Sequence, residues 1–176
     1  MRIIAGKYRG RLLASFKGEE VRPTSDRVKE SLFQILSNHL AGARVLDLFC
    51  GSGALGIECL SRGAQEAVFN DMSRDSLAIL KKNLIRISEP YKIENRDFRS
   101  CLQGVDGKFD LIFSDPPYRE EYLCEVLSIV GERGLLNQGG LVIHESEREE
   151  TAPEGWETVD KRNYGRTSIF FFGRKE

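Results

Sequence analysis

Asp115-Pro-Pro-Tyr118 combines a carboxylate, two residues without a backbone N–H and an aromatic ring in four consecutive positions. The prolines hold the chain extended and leave no amide to compete for nearby acceptors, so the Asp115 carboxylate and the Pro116 carbonyl can face one cleft. Tyr118 supplies a ring on which a flat heterocycle can stack. An amine attached to such a heterocycle is a poor nucleophile because its lone pair is delocalised. Two acceptors holding its two hydrogens localise that pair and aim it at an electrophile, which makes positioning the main source of rate. A strand followed by a Pro-Pro turn explains the rigidity alone, but not the aspartate and aromatic residue on either side.

A second group of residues belongs to a ligand. Gly51-Ser-Gly53-Ala-Leu-Gly56 has the G-x-G-x-x-G spacing, in which bare backbone lets a cofactor approach the start of a helix. The same glycines also occur as plain packing devices. Asp47 precedes them, and Asp71 follows Gly51 by about the twenty residues that bring an acid to the end of the second strand, within reach of ribose hydroxyls. Asp97 is placed to take an adenine amine. An acid at Asp47 would repel a pyrophosphate and suits a sulfonium carrying an amino group, which favours S-adenosylmethionine over a nicotinamide dinucleotide.

Positioning these residues requires a particular order of elements. Apolar runs at 44–48, 67–70, 91–95, 109–114 and 141–144 read as strands, with helices at 54–62, 77–87 and 122–136 between them. Gly63 stops the first of these helices. Residues 156–161 and 168–172 read as a closing antiparallel pair. Alternating strands and helices imply a mostly parallel sheet covered on both faces, with ligands beyond the carboxyl ends of the strands. Asp47, Asp71, Asp97 and Asp115 all fall on that edge. Ahead of this pattern, residues 2–13 read as a hairpin carrying Lys7, Tyr8, Arg9 and Arg11. Arg22-Pro-Thr-Ser-Asp26 then starts a helix with Val28, Leu32, Ile35 and Leu36 on one face.

Composition limits the remaining choices. The 176 residues are 40% hydrophobic, enough for one domain and a small appendage, and the net charge is −1. No apolar run of about 18 residues suits a membrane helix and no signal peptide is evident, so a cytoplasmic protein is expected. Cys50, Cys59, Cys101 and Cys124 form no C-x-x-C pair; they read as small buried hydrophobes, and no metal is expected. Charge is uneven: residues 1–17 hold five bases and no acid, while 145–160 hold seven acids and only Arg148. A basic hairpin with an aromatic residue suits RNA phosphates and a stacked base, or it is an edge protected by its charges. His39, His144 and Glu145 are given no role.

Taken together, these stretches resemble one family. Arg2-Ile-Ile-Ala-Gly-Lys-Tyr-Arg-Gly-Arg11, Arg22-Pro-Thr24, the run from Val45 to Ala64, Phe109 to Tyr118 and Tyr164-Gly-Arg-Thr167 are similar, in order and over almost the whole chain, to the bacterial RsmD family. The resemblance implies an α/β, class I (Rossmann-like) methyltransferase fold with a seven-stranded, mostly parallel sheet and a C-terminal antiparallel strand. It implies an RNA-contacting hairpin and helix over 1–40 and a methyltransferase domain over 41–176. The implied activity is methylation of the N2 amine of one guanine in 16S ribosomal RNA of the small subunit, with S-adenosylmethionine as donor; a monomer is the default expectation.

In that scheme Asp115, Pro116, Pro117 and Tyr118 hold the guanine. Asp47, Phe49, Gly51, Gly53, Asp71, Met72, Asp97 and Phe98 hold the cofactor, and Lys7, Arg9, Arg11 and Arg22 meet RNA. The chain departs from the family pattern at Cys50, where alanine is usual, and at Asp71, where glutamate is usual. The second change keeps the carboxylate and shortens its reach. Three rival functions use the same residues differently: an amino-methyltransferase for DNA or another RNA, a nicotinamide-dependent oxidoreductase, and a non-catalytic RNA-binding assembly factor.

Overall fold

The structure, a computed structural model, describes residues 1–16, 23–117 and 121–176, with the side chains of 23–25 also left aside. Lys17, Arg22 and Tyr118 therefore lie outside the described residues. Seven strands, β1 (Arg44–Asp47), β2 (Glu66–Asn70), β3 (Tyr91–Glu94), β4 (Phe109–Ser114), β5 (Leu136–Ser146), β6 (Trp156–Tyr164) and β7 (Thr167–Arg174), form one sheet. Their order is β3-β2-β1-β4-β5-β7-β6. The pairs among β1 to β5 are parallel, and β7 runs antiparallel to both β5 and β6. The order reverses between β1 and β4, so the loops after these two strands diverge and open a crevice at their carboxyl ends.

Strand alternation sorts the core into two faces. Val45, Phe69, Leu111, Phe113 and Ile143 share one cluster with Leu32 of helix α1 (Pro23–Ile35), Leu36 just after it, Ile57 of α2 (Ala54–Ser61) and Leu80 of α3 (Arg74–Asn83). Leu46, Val68, Ile112 and Val142 share the other with Leu102 of α4 (Phe98–Gly104) and Val126 of α5 (Leu123–Glu132). Each such side chain taken fully from water contributes about 1.5–3 kcal/mol, so both faces are needed to hold the sheet edge in place. Ile3 and Leu13 of the N-terminal hairpin and Phe33 of α1 belong to the first cluster, so the extension shares the core of the sheet. The hairpin itself closes through a single bridge, Arg2 to Leu12.

Four expectations need correction. The last helix ends at Glu132 rather than 136. Gly134 takes a positive φ of 61°, Leu135 N–H donates to the Val130 carbonyl at 3.0 Å, and Gly134 N–H donates to that of Gly131 at 3.2 Å. That double bond is the Schellman ending of a helix, and β5 begins two residues on. β5 is longer than expected because the ladder continues across an irregularity: Phe109 pairs with Leu136, but Leu111 pairs with Leu141, so β5 carries three extra residues between the two pairs. The short helix α4 was not anticipated. Finally, Cys124 is exposed, whereas Cys50, Cys59 and Cys101 are buried.

Candidate active site

Asp47 closes β1 and is only 2% exposed; its Oδ2 accepts the Gly56 N–H at 3.0 Å, fixing the first turn of α2 to the strand end. Burial pushes its carboxyl up to about 7, with the Gly56 bond opposing and the Asp71 charge adding to the rise. Asp71 closes the glycine turn from the neighbouring strand: its Oδ2 accepts Gly51 N–H at 2.9 Å and its Oδ1 accepts Ser73 N–H at 2.8 Å. Gly53 has φ +82°, and a Cβ there would lie 2.3 Å from Leu80 Cδ1. Gly56 is equally constrained, since its Cβ would sit 2.3 Å from the Phe69 ring. Gly51 differs: with φ +52°, a Cβ there would meet nothing within 4 Å among the described residues, which leave its outer face open.

The rest of this half extends toward β3. Asn95 Nδ2 donates to the carbonyls of Asp71 and Met72 at 2.9 and 3.1 Å, and Met72 leaves 73% of its surface exposed beside Asp71. Phe49, Phe98 and Tyr122 form an aromatic group, Phe49 to Phe98 at 5.5 Å and Phe98 to Tyr122 at 4.6 Å between ring centres. Asp97 caps α4, accepting from Arg99 and Ser100 N–H at 3.0 and 3.3 Å and from the Ser100 hydroxyl. These bonds, the Ser100 hydroxyl foremost, hold its carboxyl below the usual carboxylate range. Asn70 ties two loops together, donating to the carbonyls of Leu48 and Arg96 at 3.0 and 3.1 Å, while its buried Oδ1 has no partner among the described residues.

Across the switch point, Asp115-Pro116-Pro117 continues β4. Ser114 pairs with His144 along the β4 and β5 ladder, and Ser114 Oγ lies 3.1 Å from His144 Nδ1. Alternation then turns Asp115 and the next residue of β5, Glu145, to the opposite face. Both line a small hollow with Leu32, Leu55, Phe113, Ile143 and Ile169. Desolvation, then the charges of Glu145 and Asp47, pushes Asp115 well above the carboxylate range. Glu145 is pushed up too, by burial first and Glu147 second. Burial holds His144 down at about 4, so it is neutral at pH 7. Pro116 is buried and Pro117 exposed.

The hairpin cations divide into two kinds. Lys7 Nζ contacts Glu89 Oε1 at 2.8 Å and Ser88 Oγ at 2.6 Å, and Arg11 Nη2 donates to the Asn83 carbonyl at 3.0 Å. Arg9 is exposed and borders a broad hollow with Arg2, Asp26, Arg27 and Glu30. The structure thus gathers Asp47, Gly51, Gly53 and Asp71 at the first strand ends, Asp115 and Pro116 across the crevice, and the hairpin cations beyond α2 and α3. Sequence reasoning missed Glu145. The signal available was a single acid after the apolar run Leu141-Val-Ile143.

Comparison with known proteins agrees with this geometry. The family described as conserved hypothetical protein 95 matches residues 1–173. Ribosomal RNA small subunit methyltransferase D of Haemophilus influenzae is 35% identical over 172 residues, covering 94% of this chain and 89% of its own length. The Escherichia coli K12 protein of the same name is 35% identical over 179 residues, covering 99% and 90%. Among solved structures, the protein yhhF from Escherichia coli superposes with a TM-score of 0.88 at 35% identity, over 99% and 98% of the two chains. Thermus thermophilus hypothetical protein TTHA0928 superposes with a TM-score of 0.79 at 28% identity, over 97% and 98%. With the class I methyltransferase sheet order, the glycine turn and Asp115-Pro-Pro in one crevice, and this likeness along its whole length, the chain belongs to the RsmD family.

Proposed function

We propose that this protein transfers a methyl group from S-adenosylmethionine to the exocyclic N2 amine of one guanine in 16S ribosomal RNA. Residues 41–176 would carry the transfer and residues 1–40 the RNA contact. The observation that carries the reading is the Asp115 carboxyl, which accepts no hydrogen bond among the described residues and sits beside the Pro116 carbonyl across the crevice from the glycine turn. The names of the relatives support the ribosomal RNA of the small subunit as the substrate class.

The cofactor seat fits the donor. Its charged side chains are the acids Asp47 and Asp71, the face of Gly51 is open, and Met72 offers an exposed apolar side chain at the edge. Such a set favours a cationic, ribose-bearing ligand and disfavours a pyrophosphate. When bound, S-adenosylmethionine supplies an electrophilic methyl group on a sulfonium. Asp47, Gly51 and Gly53 would hold its methionine end, Asp71 its ribose, and Asp97, Phe98, Phe49 and Met72 its adenine. Asp115 accepts one N2 hydrogen of guanine and the Pro116 carbonyl the other, while Pro117 contributes no N–H to compete and Tyr118 stacks on the ring. The amine lone pair then faces the methyl group; the C–N bond forms as the C–S bond breaks, and Asp115 takes the proton that the nitrogen releases. A cation in the neighbouring seat favours the ionised Asp115 that this role needs. Arg9, with Lys7, Arg11 and Arg22, meets the RNA phosphates.

The test is to incubate the protein with labelled S-adenosylmethionine and either free ribosomal RNA, small-subunit particles or duplex DNA, and to identify the labelled nucleoside. The expected product is N2-methylguanosine in the small-subunit RNA. Label on DNA alone, or on none of the RNA forms, would overturn the reading.

A further inference from the structure

Glu145 is an acid of the cleft for which the proposed transfer has no use. It sits one residue beyond the Ser114 and His144 pair, on the same side of the sheet as Asp115. Its antiparallel partner in β7 is Ile169, an apolar residue only 3% exposed. The other walls of the hollow are Leu32 of α1, Leu55 of α2, Phe113, Ser114 and Ile143. No described group donates a hydrogen bond to either carboxyl, and Asp115 feels the charge of Glu145. Elsewhere this chain supplies a buried acid fully: Glu58 receives Lys29, Arg62 and two backbone N–H groups. Both carboxyls are half-buried and given no donor by the described fold, so a ligand that brings two adjacent donors supplies what these two acceptors lack.

The nucleobases differ in this respect. Guanine carries its N2 amine next to an N1–H, two donors side by side. Adenine and cytosine carry an amine next to a ring nitrogen that only accepts. Enzymes that act on bases read this edge by hydrogen bonds. We propose that Glu145 accepts the N1–H of the target guanine beside the amine held by Asp115, so that the two carboxyls select guanine by its paired donors. Adenine or cytosine in the same pose would set a ring lone pair against the Glu145 carboxylate. This makes Glu145 a specificity-determining residue, and it rests on the functional reading given above.

The test uses small-subunit particles in which the methylated guanine, once located by mass mapping, is replaced by 2-aminopurine through splint ligation. That base keeps the amine but has a bare ring nitrogen at N1. The wild-type protein is expected to favour guanine in kcat/KM by at least about 100-fold, as sites built around a substrate N–H do. Glu145→Gln presents an amide that can donate to the bare nitrogen, so the guanine to 2-aminopurine ratio should fall by at least about tenfold, with an unchanged unfolding midpoint. Equal wild-type transfer to the two bases overturns the proposal without any variant. An unchanged ratio in Glu145→Gln overturns it as well, while leaving guanine methylation standing. Failure of the wild type to methylate the guanine particle would remove the functional reading and this inference together.

Discussion

Glu58 and Asp115 are acids on the same side of the sheet, the first buried and the second half-buried, and the chain treats them in opposite ways. Glu58, 0% exposed in α2, lies 2.9 Å from Lys29 Nζ and 2.8 Å from Arg62 Nε, and accepts the Ile4 and Ala5 N–H groups at 3.0 and 3.1 Å. Burial works to raise its proton affinity, but the Lys29 charge and these bonds outweigh it and hold the carboxyl below the usual range. Asp115 has burial without donors, and its carboxyl is pushed far above that range. A carboxylate that joins hairpin, α1 and α2 is compensated within the fold. The one left without partners marks where another molecule completes the arrangement.

The contrast can be broken from either end. Asp115→Ala should cut methyl transfer to small-subunit particles by about 100- to 1,000-fold, in line with the loss of one preorganised partner of the reacting group; near-normal initial rates would mean that it holds no amine. Glu58→Ala strands the Lys29 ammonium, only 4% exposed, and should cost about 3–5 kcal/mol in urea unfolding. A cost under about 1 kcal/mol would show that the junction is not what holds the hairpin.

Asp47 and Glu58 respond to pH with opposite sign. Asp47, at about 7 in the folded protein and near 4 when unfolded, binds more protons in the folded state, so its contribution to stability is lost as pH rises from about 4 to 7. Glu58, held low, contributes stability that is present above the ordinary glutamate range and lost as pH falls below it. Urea midpoints from pH 4 to 8 should therefore show a decline toward neutrality that Asp47→Asn flattens. An unaltered profile in that variant would place the titration elsewhere.

The smallest effect is expected at the hairpin. Because Lys7 and Arg11 already hold Glu89 and Asn83, replacing Lys7, Arg9 and Arg11 together by Ala should reduce the salt slope of RNA binding by about one, mostly through Arg9. A slope reduced by about three would mean that all three cations turn outward onto phosphate.

Much of the site was legible because its residues are contiguous. Asp115-Pro-Pro and the glycine turn each carry their chemistry within a few positions, and the strand runs that place them are apolar enough to read directly. What could not be read depends on register or pairing. Glu145 becomes a neighbour of Asp115 only through the β4 and β5 alignment. Glu58 looks like an ordinary exposed helix acid until Lys29 and the hairpin amides, more than fifty positions upstream in the latter case, close on it. Asp97 read as a ligand acid, and that reading hid its service as the cap of α4, whose Phe98, Cys101 and Leu102 follow helical spacing. Leu135 and Leu136 continued the α5 pattern in the sequence, although Gly134 had already ended the helix.

The separation of the two halves of the crevice is tested most directly by titrating S-adenosylmethionine into Asp115→Ala in a calorimeter. The expected result is an affinity within a few-fold of wild type, because Asp47, Gly51 and Asp71 are fixed by bonds that do not involve Asp115. Loss of cofactor binding would contradict the account: Asp115 would then be part of the cofactor seat, and its open carboxyl would not be reserved for the base.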